Sequence, residues 1–151
     1  MSDDLLQLHR WADGLLAKLS PASRTQLARE IARRLRQSQS SQIAAQKNPD
    51  GSPFAPRRPQ LRGQKGKIRR QMFRKLRTMR YMKGKGDGQG ATISFLSSVR
   101  HMVAVHQYGL RDRVNRYGLE VDYPQRQLLG FSSTDMQQIE DLITKYINVI
   151  C

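Results

Sequence analysis

Cysteine occurs once, as the last residue, Cys151, so neither an intrachain disulfide nor a cysteine-built metal cluster is available. Stability must come from a core or from partner subunits. Long apolar runs are missing as well. Nothing approaches the roughly 20 consecutive apolar residues of a membrane-spanning helix, and the opening MSDDLLQLHRW is acidic where a signal peptide is basic. No membrane partner is expected, and the chain should stay in the cytoplasm until something carries it elsewhere. Acidic residues are absent between Gly51 and Gly86, a stretch that holds thirteen of the 27 lysines and arginines. The rest of the chain, with fourteen bases against twelve acids, is nearly neutral, so the net charge of +15 is a local device.

The residues of catalysis are equally sparse. His101 and His106 stand five apart and His9 is remote, which fits no single helical face for a metal. There is no Gly-x-Ser-x-Gly elbow and no cysteine upstream of a histidine. The acids fall in close pairs, Asp3 with Asp4, Glu120 with Asp122 and Glu140 with Asp141, the pattern of solvated surface. GKGDGQG, residues 84 to 90, lacks the Gly-Lys-Ser/Thr ending of a phosphate-binding loop and reads as a flexible linker. No catalytic residue, metal site or cofactor is expected, and nothing points to an enzyme.

What is present is helix, proline and positive charge. Leu5, Leu8, Trp11, Leu15 and Leu19 repeat at helical spacing after Ser2, forming a narrow docking stripe with Trp11 as its anchor. Ser20-Pro21 starts a second helix whose Leu27, Ile31 and Leu35 share a face. Its later part, RQSQSSQ, is too polar for a core. That half should project or pack on another subunit, with Gln39 and Gln42 bonding to a partner. Asn48-Pro49-Asp50-Gly51 fits a type I turn, and Pro53, Pro56 and Pro59 keep the following arm extended. Phe54 in that stiff arm needs a surface to press on.

Residues 62 to 83 read as a basic helix with Ile68, Met72, Phe73, Leu76 and Met79 on one side. ATISFLSS alternates like a strand, residues 98 to 109 suit a short helix ended by Gly109, and RYGLEVDY and QRQLLGFS read as two further strands. Ser133 should cap a last helix with Met136, Ile139, Ile143, Tyr146 and Ile147 inward. The fold class is therefore α+β: a small antiparallel sheet packed with helices, long N-terminal helices and an extended basic arm. A single domain spans 1–151, divided into N-terminal helices (1–47), the proline turn, basic helix and glycine loop (48–90), and the sheet with its C-terminal helix (91–151).

The basic run includes Arg57, Arg58, Arg62, Lys65, Lys67, Arg69, Arg70, Arg74, Lys75, Arg77, Lys83 and Lys85. Three accounts fit it: phosphate neutralisation on nucleic acid, a solvated arm, or a match to an acidic protein. Only Phe73 and Tyr81 interleave with the bases, so single-strand stacking has little support.

Three ordered blocks, NPDGSPFAPRR after a glutamine-rich helix, AVHQYG at 104–109 and YPQRQLLGFSSTD at 123–135, resemble the phage virion morphogenesis family along nearly the whole chain. The resemblance implies a tail-terminator-like α+β subunit in a homo-oligomeric ring of six copies, acting late in virion assembly. It further implies contacts with the tail tube, other tail completion proteins and the head connector or neck, in the host cytoplasm and then in the virion tail or neck. In such a ring the basic run would suit weak non-specific contact with genomic DNA, an acidic partner or solvent. By motif, Asn48, Pro49, Asp50, Gly51, Pro53 and Pro56 would shape the arm that presents Phe54, unless the turn serves only its own subunit. His106, Gln107, Tyr108, Gly109 and Gly130 belong to structural motifs. Arg126 could grip a neighbouring subunit's carboxylate, with Asp135 as an internal competitor. The alternative is a free-standing basic protein that binds nucleic acid.

Overall fold

The computed structural model describes residues 2–57, 71–113 and 117–150. Its helices are α1 (Ser2–Leu16), α2 (Pro21–Ala44), α3 (Ser97–Tyr108) and α4 (Ser133–Ile150), and its strands are β1 (Met82–Asp87), β2 (Gly90–Phe95), β3 (Arg111–Arg113) and β4 (Glu120–Asp122). The class is α+β, with two two-stranded sheets, β1-β2 and β3-β4. β3 and β4 are antiparallel, Asp112 facing Val121. Two compact units interleave along the chain: Met1–Ser38, Met82–Ser94 and Phe131–Cys151 form unit 1, and Gln39–Tyr81 with Phe95–Gly130 form unit 2. The backbone passes between them four times.

Unit 1 is built on α1, α2 and α4. Ala12, Leu19, Leu27, Leu142 and Ile143 form its buried centre, with Leu15, Leu16, Ile31, Ile139, Tyr146 and Ile147 packed around them. Leu15 and Leu19 of the predicted stripe are thus part of their own subunit's core, whereas Leu5 and Trp11 are 38% and 41% exposed. Ser20 caps α2 through the Ser23 N–H, 3.2 Å. α4 is capped by Ser132, one residue earlier than its sequence suggests. Ser132 Oγ accepts from Asp135 N–H (3.1 Å) while the Asp135 carboxylate accepts from Ser132 N–H (3.1 Å), a reciprocal capping box. Ser38 on α2 donates its hydroxyl to the same carboxylate, which is fully buried. One polar residue of RQSQSSQ therefore binds within its own unit.

The glycine-rich stretch is a hairpin strand rather than a linker. In β1, Gly84 and Gly86 fall on one face, and that face meets the backbone of α2. A Cβ on Gly84 would lie 3.1 Å from Ala32 O, and one on Gly86 would lie 2.3 Å from Arg29 N and 2.4 Å from Ala28 C. Ala28 and Ala32 are buried and one helical turn apart, so small residues on both partners let strand and helix approach. Lys83 and Lys85 alternate with the glycines and are exposed. At the turn, Asp87 accepts from Gln89 N–H (2.8 Å) and Gly90 N–H (3.1 Å). These bonds hold its carboxyl below the usual range.

In unit 2, α3 ends at Gly109, whose φ of 64° is left-handed and whose N–H bonds Val105 O, the expected cap. Val103 and Val105 are buried with Ile43, Phe54, Leu76, Phe95 and Leu128. The basic helix over 62–83 is not what forms over its described part. Residues 72–81 are turns and β1 begins at Met82, Phe73 takes a left-handed φ of 62°, and Met79 is 70% exposed. Residues 124–131 likewise contain no strand, because side chains rather than a ladder take their backbone bonds.

Substituting Gly86→Ala should cost roughly 1–3 kcal/mol by overpacking, read as a fall of several degrees in melting temperature. Gly88→Ala, whose Cβ would find only Thr25 Oγ1 at 3.7 Å, should leave the melt within about a degree of the parent. Equal tolerance at both positions would contradict the packed-strand reading.

Candidate functional site

In unit 2 the chain runs without regular structure after α2 and again after β4, and buried peptide groups need partners wherever they go. Glutamine supplies them, because its amide carries a donor and an acceptor that match the C=O and N–H of a single residue. Gln39 donates to Gly130 O (2.8 Å) and accepts from Gly130 N–H (3.1 Å). Gln46 does the same for Met72, at 2.9 and 3.1 Å. Gln107 accepts from Leu128 and Leu129 N–H (2.8 and 3.0 Å) and donates to Leu129 O (2.8 Å). Asn48 Oδ1 adds a bond from Gln127 N–H, 2.9 Å. Each bond contributes about 1 kcal/mol net, but a buried peptide group left bare costs about 1–3.

The Asn48–Gly51 turn closes with Gly51 N–H on Asn48 O (2.9 Å), and Asn48 N–H bonds Ser52 O (2.8 Å). Asp50 accepts from both the hydroxyl and the N–H of Ser52, which depresses its carboxyl pKa. Gly51 has φ +89°. Lys47 and Pro53 form an antiparallel bridge, and Phe54 N–H reaches back to Gln46 O, 2.8 Å. The turn thus folds the arm onto its own unit. Gly130 is where Pro49 lands: a Cβ there would sit 2.4 Å from Pro49 Cγ.

Several residues expected at partner contacts are therefore internal. Phe54 is only 6% exposed and starts a run of edge-to-face rings, Phe54–Phe73 (centroids 5.9 Å), Phe73–His106 (4.8 Å) and His106–Tyr123 (5.2 Å). Arg126, 5% exposed, donates to Ala55 O (2.7 Å) and Pro56 O (3.0 Å), and its N–H bonds His106 O (2.8 Å). It fastens the arm's carbonyls instead of a neighbour's carboxylate. Gln39 is buried on its Gly130 clamp, and Ser40 donates to Arg77 O, 3.1 Å. The polar end of α2 is used inside its own chain, and Gln42 is half-buried there. Pro53 and Pro56 are exposed, as is Tyr108.

What faces outward is basic and apolar together. Arg57, Arg74 and Lys75 are exposed and Arg77 is half-buried. Arg58, Arg62, Lys65, Lys67, Arg69 and Arg70 lie outside the described residues. Arg57, Arg74 and Lys75 rim a groove of about 690 Å³ whose apolar lining comes from Phe73, Leu76, Tyr81, Val99 and Met102. Sequence reasoning missed this groove, since Phe73 and Leu76 were placed on a helix that does not form. It also missed Gln46 as a clamp, although a glutamine just before a proline turn is a natural partner for the chain leaving it. Among the described residues, no group of His, Cys, Asp and Glu could hold a metal, and no helix is long and apolar enough to cross a membrane.

Comparison with known proteins settles the kinship. The model of the phage virion morphogenesis family matches residues 3–148. The chain belongs to that family. Over 136 residues it is 42% identical to the tail completion protein S of Escherichia phage P2, covering 89% of this chain and 91% of that protein. No solved structure gives a significant match. Membership in the phage virion morphogenesis family makes this a structural phage assembly protein rather than an enzyme.

Within this family member, His106 couples folding to pH. Burial, then the charge of Arg126, pushes its pKa below the ordinary 6.5, and its Nδ1 is buried without a hydrogen bond. The unfolded chain takes up this proton before the folded one does. Stability from His106 is therefore complete above about pH 6.5 and is lost as pH falls below it, by at most about 1.4 kcal/mol per pH unit. The melting temperature should drop between pH 7 and 5.5 (on the order of a few degrees), and His106→Phe, which keeps an aromatic ring between Phe73 and Tyr123, should remove that slope. A parent and variant with parallel pH profiles would contradict it. Arg126→Ala should lower the melt at every pH by freeing the arm, on the order of 2 kcal/mol.

Proposed function

We propose that this chain completes the phage tail and makes it competent to join the DNA-filled head, acting as a closed homo-oligomeric ring of six copies. The observation that carries this reading is the 42% identity over nine-tenths of both chains to a protein named for tail completion. The ring would contact the tail tube and other tail completion proteins on one side and the head connector or neck on the other. It is assembled in the host cytoplasm and retained in the virion tail or neck.

The exposed Arg57, Arg74, Lys75, Lys83 and Lys85 suit weak, sequence-independent attraction to DNA passing through such a ring. Tight binding would oppose ejection of the genome. The same charge supports the second reading, a free-standing nucleic-acid-binding protein, whose affinity would fall steeply with salt.

Lysates of a phage lacking this chain should contain filled heads and full-length tails that remain unjoined in electron micrographs. Joined, infectious particles at normal yield would overturn the proposal. The solution mass of the purified protein, measured with and without duplex DNA at two salt concentrations, separates the readings. An oligomer indifferent to DNA at physiological salt supports assembly, whereas a monomer that binds duplex tightly at low salt supports the alternative.

A further inference from the structure

The groove of unit 2 joins two properties that call for different solvents. Its floor is apolar, with Phe73, Leu76, Tyr81, Val99 and Met102, and Met102 is 43% exposed. Its rim carries Arg57, Arg74 and Lys75, and the sequence from Gly51 to Gly86 holds thirteen bases and no acid. A concave apolar surface of about 690 Å³ is of ligand-cleft size. The ring of cations selects an occupant that is apolar at its tip and negative around it.

Such an occupant is present on the chain itself. On α1, Asp3, Asp4, Gln7 and Trp11 recur at spacings of three, four and seven to eight, so they share one side of the helix. Trp11 is 41% exposed, and the two acids fill the first turn. A tryptophan is a large, stiff anchor that needs one acceptor for its indole N–H, and Gln71 and Thr78 line the groove beside its apolar floor.

Resting on the tail-completion reading above, we propose that this groove receives α1 of a second copy, with Trp11 on the apolar floor and Asp3 and Asp4 against the Arg57, Arg74 and Lys75 rim. Knob and groove are different surfaces, so each copy offers one to the next and receives one from the last. A contact of that heterologous kind propagates head to tail and closes into a ring when the rotation permits. The charged rim sets register and speed of encounter, and the tryptophan carries most of the affinity.

The test uses the full chain in sedimentation velocity over a wide concentration range, with thermal melts as the folding control. Trp11→Ala should raise the concentration needed for assembly at least about tenfold. D3K/D4K and R74E/K75E should each abolish assembly, because every knob then meets a groove of its own sign. Mixing the two variants should restore it, since each supplies the complement the other lacks, and that restoration also shows that both are folded. Monomer at every concentration for the parent, parent-like assembly by any variant, or no recovery on mixing would overturn the contact. Assembly through another surface would sink this inference and leave tail completion standing, whereas joined virions made without the chain would sink tail completion whatever the groove holds.

Discussion

The structure of unit 2 depends on one substitution of roles: side-chain amides do the work that a β-ladder does elsewhere. Gln39, Gln46 and Gln107 each bind the N–H and C=O of a facing residue, and Asn48 accepts from the N–H of Gln127. Because these bonds satisfy peptide groups that would otherwise be buried bare, the segments around Met72 and from Gln127 to Gly130 can pack without regular structure. Arg126 completes the scheme from the opposite direction. Its guanidinium is buried to hold the carbonyls of Ala55 and Pro56, so the arm is tied at its tip as well as at its turn.

Unit 1 reaches compactness by a different route. There the partners are backbones brought close by small residues, glycines of β1 against alanines of α2, together with a leucine and isoleucine centre shared by three helices. One buried carboxylate, Asp135, ties the start of α4 to Ser38 on α2.

Much of the fold was legible because local signals agreed with it. Ser20-Pro21, Gly109 and the apolar periodicity of α4 act over a single turn of helix, and each appears where the residues place it. The Asn48–Gly51 turn forms for the same reason. The basic helix and the strand over QRQLLGFS were not legible, since their outcome is decided by glutamines 20 to 90 residues away. Glutamine is ambiguous at that distance: exposed polarity and a backbone clamp look alike in one dimension. The same ambiguity sent Gln39, Phe54 and Arg126 to a partner surface when their partners lie in their own chain. The glycines of β1 were misread as looseness because the alanines they touch stand more than 50 residues earlier. Family kinship, by contrast, was readable from three short blocks, which include the turn and clamp residues Asn48, Gln107 and Gly130.

The interleaving of the two units has a consequence for how the polypeptide is made. The centre of unit 1 joins Ala12 and Leu19 to Leu142 and Ile143, residues from the two ends of the chain. A ribosome must release almost the whole product before that centre can exist. Prematurely terminated copies would lack α4 and with it Leu142 and Ile143 of this core, so they would be unfit to take a place in a growing particle.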